Sequence, residues 1–460
     1  MNLVYGIHDK PKFPQLLVFA FQQVLAILAA TIAVPSIVGH GMSQSAALFG
    51  AGVGTLVYQL FTKFRSPVYL GSSFAFMSSM SAAFAGAATA AAGFAGLFIG
   101  VVFAGLVYVV IAMVIKFVGV NWLEKLLPPA VIGPTVAIIG LSLAKNAVGD
   151  LFAGKVMVEQ VQQVIQDGVI VDQINLVSGC SPYVALICGL VTLFTVMLVS
   201  VYGKKMMKLI PFILGILAGY LTAVIFTVIG IATDNVSLQV INFTVFKGMD
   251  VFAIPDFTFV QAFKGFAQID GAYIATLAVA YIPVAFVVFA EHIADHKNLS
   301  SIIGQDLLKE PGLHRTLLGD GIGSMAGAFF GGCPNTTYGE SVGCVAITRN
   351  ASVITITTAA IMCMVISFFG PFVTFLASIP NCVMGGVCTA LYGFIAVSGL
   401  KMIQKVDLSQ SKNLFVVSVI LITGIGGLTL TFGKVTLTAI ACALILGILT
   451  NVLVSKAKED

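Results

Sequence analysis

Runs of about 17–25 mainly apolar residues follow one another along almost the whole chain, and this settles which solvent it folds in. Of 460 residues, 58% are hydrophobic and only 9% charged, against roughly a quarter charged in an average soluble domain. No water-soluble core could hide that much apolar surface. The recurrence of the runs also excludes a lone anchor or signal peptide, so the lipid bilayer is the expected surrounding throughout. In hydrocarbon each segment must satisfy its own backbone N–H and C=O groups, and helices do this. No basic cluster interleaved with aromatics suggests a nucleic-acid partner. The eight cysteines are scattered, mostly within apolar runs and without a CxxC or CxxH pair. They read as small apolar side chains, and nothing in the sequence implies a metal or a cofactor.

The apolar runs divide into fourteen expected membrane segments. Seven fall near 14–37, 45–62, 67–84, 92–118, 129–146, 182–202 and 209–232. Seven more fall near 271–293, 314–332, 335–349, 351–370, 379–400, 412–432 and 436–455. Two are poor helices: 67–84 and 335–349 are short, rich in Gly, Ser and Thr, and preceded by proline. Extended pieces are expected there, in segments 3 and 10. With both termini cytoplasmic, eighteen of the 23 basic residues fall inside and only Lys145, Lys155, Lys247, Lys264 and Lys434 fall outside. That asymmetry is what the positive-inside rule demands. The longest polar loops, about 147–181 and 233–265, are acidic and lie outside in this scheme.

Two short patterns recur at matching places. Pro128-Pro-Ala-Val-Ile-Gly133 opens the fifth segment and Pro380-Asn-Cys-Val-Met-Gly385 the twelfth, 252 residues apart. Leu70-Gly71-Ser72-Ser73 in the third resembles Tyr338-Gly339-Glu340-Ser341 in the tenth, 268 residues apart. Both pair segment n with n+7, and since seven is odd the second copy enters the membrane inverted. The expected fold is therefore an all-α membrane protein of two inverted seven-segment repeats. Interrupted segments in corresponding positions point to a transporter's binding site near the bilayer midplane.

Two carboxyl groups stand out in this apolar setting. Glu291 closes the run from Tyr281, and Glu340 sits in Pro334-Asn-Thr-Thr-Tyr-Gly-Glu340-Ser-Val-Gly343. Even low estimates put an acid at the bilayer centre about 2.5–3.5 kcal/mol uphill, so each needs a partner or a task. Glu340 follows an extended piece at the start of a half-helix, where free backbone N–H groups can donate to a carbonyl. The alternative is that it caps that helix end. Glu291 has no basic neighbour before Lys297 and is suited to carry a proton; alternatively it snorkels to water. Asp320, in the ninth segment, has no partner evident from sequence. His292-Ile-Ala-Asp-His296 sets two imidazoles four apart, a spacing used for zinc, but only His314 offers a third ligand.

Phe289-Ala-Glu291-His292-Ile, Asp306-Leu-Leu-Lys-Glu-Pro-Gly-Leu-His-Arg315 and Pro334-Asn-Thr-Thr-Tyr-Gly-Glu340 resemble motifs of the nucleobase–ascorbate transporter family, also called nucleobase:cation symporter family 2. Gly71-Ser-Ser-Phe74-Ala-Phe76 and Pro380-Asn-Cys-Val-Met-Gly-Gly386 extend the resemblance over nearly the whole chain. It implies a core domain (1–120 and 236–370), a gate domain (121–235 and 371–460), and homodimers. It further implies proton symport of uracil or a related nucleobase by alternating access, in a bacterial cytoplasmic membrane. Glu291 and Glu340 would hold the pyrimidine, the backbone N–H groups of Phe74 and Gly339 would meet its carbonyls, and Ala30 and Tyr338 would line the site. Glu291 and Asp295 would serve proton coupling, with Ser341 and Gln23 in support. Three positions depart from the family pattern. Ser341 replaces an asparagine, Asp295 a histidine, and Gln23 the histidine of a frequent Gln-His pair.

The chemistry agrees with this independently. Uracil presents two N–H donors and two carbonyl acceptors on a flat uncharged ring; carboxylates accept the former and free amides serve the latter. A proton-coupled xanthine or urate permease on the same fold is the nearest alternative. Sulfate and bicarbonate carriers share the seven-plus-seven plan but would be expected to show a cationic or uncharged site. An intramembrane zinc hydrolase built on His292 and His296 is the remote alternative, and no enzyme is expected.

Overall fold

The computed structural model describes residues 3–119, 127–166, 169–204, 207–208, 210–432 and 435–454. Lys125, Lys205, Lys434, Lys456 and Lys458, which contribute to the charge asymmetry, lie outside the described residues. The chain is predominantly helical. Among the described residues, seven helices are long and apolar enough to cross a membrane, and three shorter apolar helices accompany them.

By its internal packing the chain forms two compact units, one of 1–143, 252–369 and 392–460, the other of 144–251 and 370–391. The first unit contains α1 (Phe13–Val38), α2 (Gln44–Phe61), β1 (Leu70–Ser72), α3 (Met77–Ala85), α4 (Ala90–Val118) and α5 (Pro129–Ser142). The second opens with α6 (Ala144–Asp150), β2 (Met157–Gln166), β3 (Val169–Ser178), α7 (Pro182–Tyr202) and α8 (Pro211–Ala232). The first resumes with α9 (Thr258–Gly265), α10 (Gly271–Ile303), α11 (Leu313–Gly331), β4 (Asn335–Thr337), α12 (Gly339–Thr348) and α13 (Val353–Ile366). After α14 (Gly370–Ser378), α15 (Asn381–Ile403) runs from the second unit into the first, followed by α16 (Ser411–Ile425), β5 (Leu430–Phe432), β6 (Val435–Leu437) and α17 (Ala439–Val454).

In the first unit α11 lies against α2 and α4. Its approach to α2 depends on small residues spaced by four. A Cβ on Gly50 would meet the carbonyl oxygen of Gly327 at 2.3 Å, and one on Gly323 the carbonyl of Gly54 at 2.6 Å. In lipid there is no hydrophobic drive between helices, so close backbone contact along such a seam is what holds them. The seam also admits Asn335, whose Nδ2 donates to the Gly50 carbonyl at 3.1 Å.

The two interrupted segments meet in space. Segment 3 is β1 followed by the short α3, and segment 10 is β4 followed by the ten-residue α12. β1 and β4 pair antiparallel, with Leu70 opposite Thr337, Gly71 opposite Thr336 and Ser72 opposite Asn335. All six residues are buried, so the ladder meets the rule that extended backbone at membrane depth must be enclosed by protein.

In the second unit α7 and α8 pack together. The segment expected as a polar loop at 147–181 instead contains α6 and a ladder of β2 with β3, Met157 opposite Ser178 and Gln166 opposite Val169. A hydropathy reading passes over such a ladder because its residues are too polar to register as a span.

Candidate functional site

The acidic side chains gather around α10 and the β4–α12 junction, all within the first unit. α10 begins at Asp270, whose side chain accepts the Tyr273 N–H at 2.7 Å, and ends at the left-handed Gly304. Its helical repeat sets Glu291 and Asp295 one turn apart on one face and His292 and His296 on the neighbouring one. Glu291 and Asp295 are half-buried, while both histidines are fully enclosed.

Asp295 accepts a hydrogen bond from the Thr337 hydroxyl at 2.6 Å, tying α10 to the end of β4. Glu340 lies in the first turn of α12 and is half-buried. Glu291 stands within electrostatic reach of the carboxyls of Asp295, Glu340 and Asp320. No lysine or arginine pairs with Glu291, Asp295 or Glu340 among the described residues. Three acids thus share one neighbourhood, none of them paired with a lysine or arginine among the described residues.

Amide donors sit beside them. The N–H of Gly339 is one of the first four of α12, which have no acceptor within their own helix. Phe74 lies between β1 and α3, outside either element. Gly339 is exposed, and a Cβ added there would pass 3.9 Å from Asp295 Oδ1. The Phe74 ring is partly buried and stands edge-on to Tyr392 at 5.8 Å. Tyr338 is buried; its hydroxyl donates to the Ser72 carbonyl at 2.7 Å, and its ring covers Gly71, where a Cβ would come within 2.5 Å of it. Ala30 is buried on α1, the helix that packs against β1 and α12.

The two departures Gln23 and Ser341 face each other. Gln23 Nε2 donates to the Ser341 hydroxyl and, at 3.4 Å, to its carbonyl, and both residues are fully buried. Together they make a hydrogen bond from α1 to the residue beside Glu340.

Behind the acids lies a network that sequence reasoning missed. His292 Nδ1 bonds Asp320 Oδ2 at 2.7 Å and its Nε2 lies 3.0 Å from the Thr316 hydroxyl. The Thr316 hydroxyl also donates to the Leu313 carbonyl, 3.1 Å away. His292 is thus held from both sides, by the Asp320 carboxyl at Nδ1 and by Thr316 at Nε2. His296 Nδ1 donates to the His292 carbonyl at 2.7 Å, so Nε2 accepts from the Tyr58 hydroxyl, also at 2.7 Å. Ser66 lies 2.7 Å from Tyr58 and completes the chain. Every ring nitrogen of the pair has a hydrogen-bond partner. Asp320 and Tyr58 lie 28 and 238 residues from their histidine partners, so no local pattern could have announced them.

A family model described as a permease family matches residues 14–433. The chain belongs to that family, the nucleobase–ascorbate transporters. A relative named uracil permease from Bacillus subtilis (strain 168) is 36% identical over 460 residues, covering 99% of this chain and 96% of its own. Another of that name, from Bacillus caldolyticus, is 37% identical, covering 98% of this chain and 94% of its own. These relatives are named as permeases, not enzymes. Among solved structures, the murine Solute Carrier 26 family member A9 anion transporter superposes with a TM-score of 0.64 at 13% identity, covering 97% of this chain and 69% of its own. That likeness concerns the fold alone.

Proposed function

We propose that this multi-pass membrane protein imports uracil by proton symport. The observation that carries the reading is the gathering of Glu291, Asp295 and Glu340 beside the free N–H of Gly339, with no lysine or arginine paired among the described residues. Glu291 and Glu340 accept the two ring N–H groups, and the amides of Phe74 and Gly339 donate to the two carbonyls. A neutral ring needs no countercharge, but an acid in a dry site is costly as a bare anion. A proton taken by Glu291 from outside lowers that cost and travels with the substrate. Asp295, held by Thr337, is the second candidate for that proton. Fourteen crossings in two inverted repeats, with both termini cytoplasmic, give the frame for alternating access. The core and gate divisions and the homodimer are carried over from the family in the same sense. The full-length identity to relatives named uracil permease supports the substrate assignment.

Uptake into proteoliposomes with an imposed pH gradient tests both halves. Labelled uracil should accumulate when the outside is acidic, with 5-fluorouracil competing and xanthine not. Glu291→Gln should abolish gradient-driven accumulation, while Glu340→Gln should weaken binding by about 1.5–3 kcal/mol, roughly ten- to hundredfold in Kd. Accumulation indifferent to the gradient would refute symport, and preference for xanthine would move the assignment to the purine branch.

A further inference from the structure

The half-helix α12 is too short to hold its own position. At ten residues it is marginal as an isolated helix, so its placement comes from what grips its two ends. The front end is held by the β1–β4 ladder. The rear end turns sharply at Arg349, whose φ of 56° is left-handed.

There the segment 3–9 lies along the chain that leaves α12. The N–H groups of Val4 and Tyr5 donate to the Arg349 carbonyl at 2.8 and 3.3 Å. In return the N–H of Ala351 donates to the Tyr5 carbonyl at 2.9 Å and that of Val353 to the Ile7 carbonyl at 3.0 Å. The Ser352 hydroxyl reaches the Asp9 carbonyl at 2.6 Å. Tyr5 also ties this segment to α1, donating to Gln15 at 2.7 Å. Ile7 is buried in one apolar cluster with Val342 and Val345 of α12, Leu70 of β1 and Leu299 of α10. That cluster joins β1 to the two helices that carry Glu291, Asp295 and Glu340.

We infer that residues 3–9 form a positioning strap which fixes the half-helix carrying Glu340, so that this segment sets substrate affinity without touching substrate. The inference rests on the reading that Glu340 binds the nucleobase. Its effect on α12 itself can be measured without any substrate.

The test compares the full chain with a variant lacking residues 3–9 and with Ile7→Ala and Ile7→Val. Hydrogen exchange of peptides covering 339–349 should speed at least tenfold in the deletion, with peptides from α4 unchanged. KM for labelled uracil should rise at least fivefold while Vmax changes less than twofold. A synthetic peptide of residues 1–12 should restore both. Ile7→Ala should show a smaller rise in KM that Ile7→Val largely reverses; this pair decides the matter if the deletion fails to fold. Unchanged exchange at 339–349, or in the substitution pair an unchanged KM, overturns the strap. A wild-type protein that ignores uracil would instead refute the proposed function, and the exchange measurement would still judge the strap.

Discussion

Asp295 shows how one side chain answers to partners distant in sequence. It is half-buried among acids and accepts a hydrogen bond from the Thr337 hydroxyl at 2.6 Å. Thr337→Val keeps the shape and removes the donor. We expect a loss of about 1–3 kcal/mol of stability, read as a lower melting temperature in detergent, with Thr337→Ser close to wild type. The Gln23–Ser341 contact makes a second residue-scale prediction. Restoring the family residue at one position alone, Gln23→His or Ser341→Asn, should weaken uracil binding. The double variant should recover more than the two single effects would add to. Strict additivity in that cycle would show that the two buried groups act independently.

The antiparallel pairing of β1 with β4 sets where the two half-helices start and hence where their free N–H groups lie. Its weak point is Gly71, over which the Tyr338 ring packs. Gly71→Ala would place a Cβ 2.5 Å from two ring carbons, so either the ring or the strand must move. Overpacking of this kind costs about 1–3 kcal/mol. Because Tyr338 adjoins Gly339, uracil affinity should fall along with stability. Gly71→Ala combined with Tyr338→Leu should recover stability more than affinity; if both return fully, ring placement and amide placement are unconnected. The α2–α11 seam has the same sensitivity. A Cβ on Gly50 collides with the backbone of Gly327, which cannot rotate away as a side chain could.

For the whole molecule the decisive quantity is the placement of charge relative to the bilayer. The sidedness drawn from lysine and arginine places Lys155 outside and Lys405 inside. All eight native cysteines are buried, so single cysteines at these positions can be read against a quiet background. In intact cells a membrane-impermeant maleimide should label Lys155→Cys and leave Lys405→Cys unmodified; the reverse pattern would invert the proposed topology. The sequence by itself determined the solvent, the run of apolar helices and the places where two segments break. These follow from local composition and period, which a bilayer enforces strongly because every unpaired backbone group is costly there. It also singled out Glu291 and Glu340, since an acid in an apolar run is conspicuous without any neighbour. Tertiary structure alone decided that the broken segments pair, that Thr337 serves Asp295, that His292 is hydrogen-bonded to Asp320, and that residues 3–9 lie along the chain leaving α12. Each of these joins groups brought together by packing from distant parts of the chain, and packing leaves no periodic trace in one dimension.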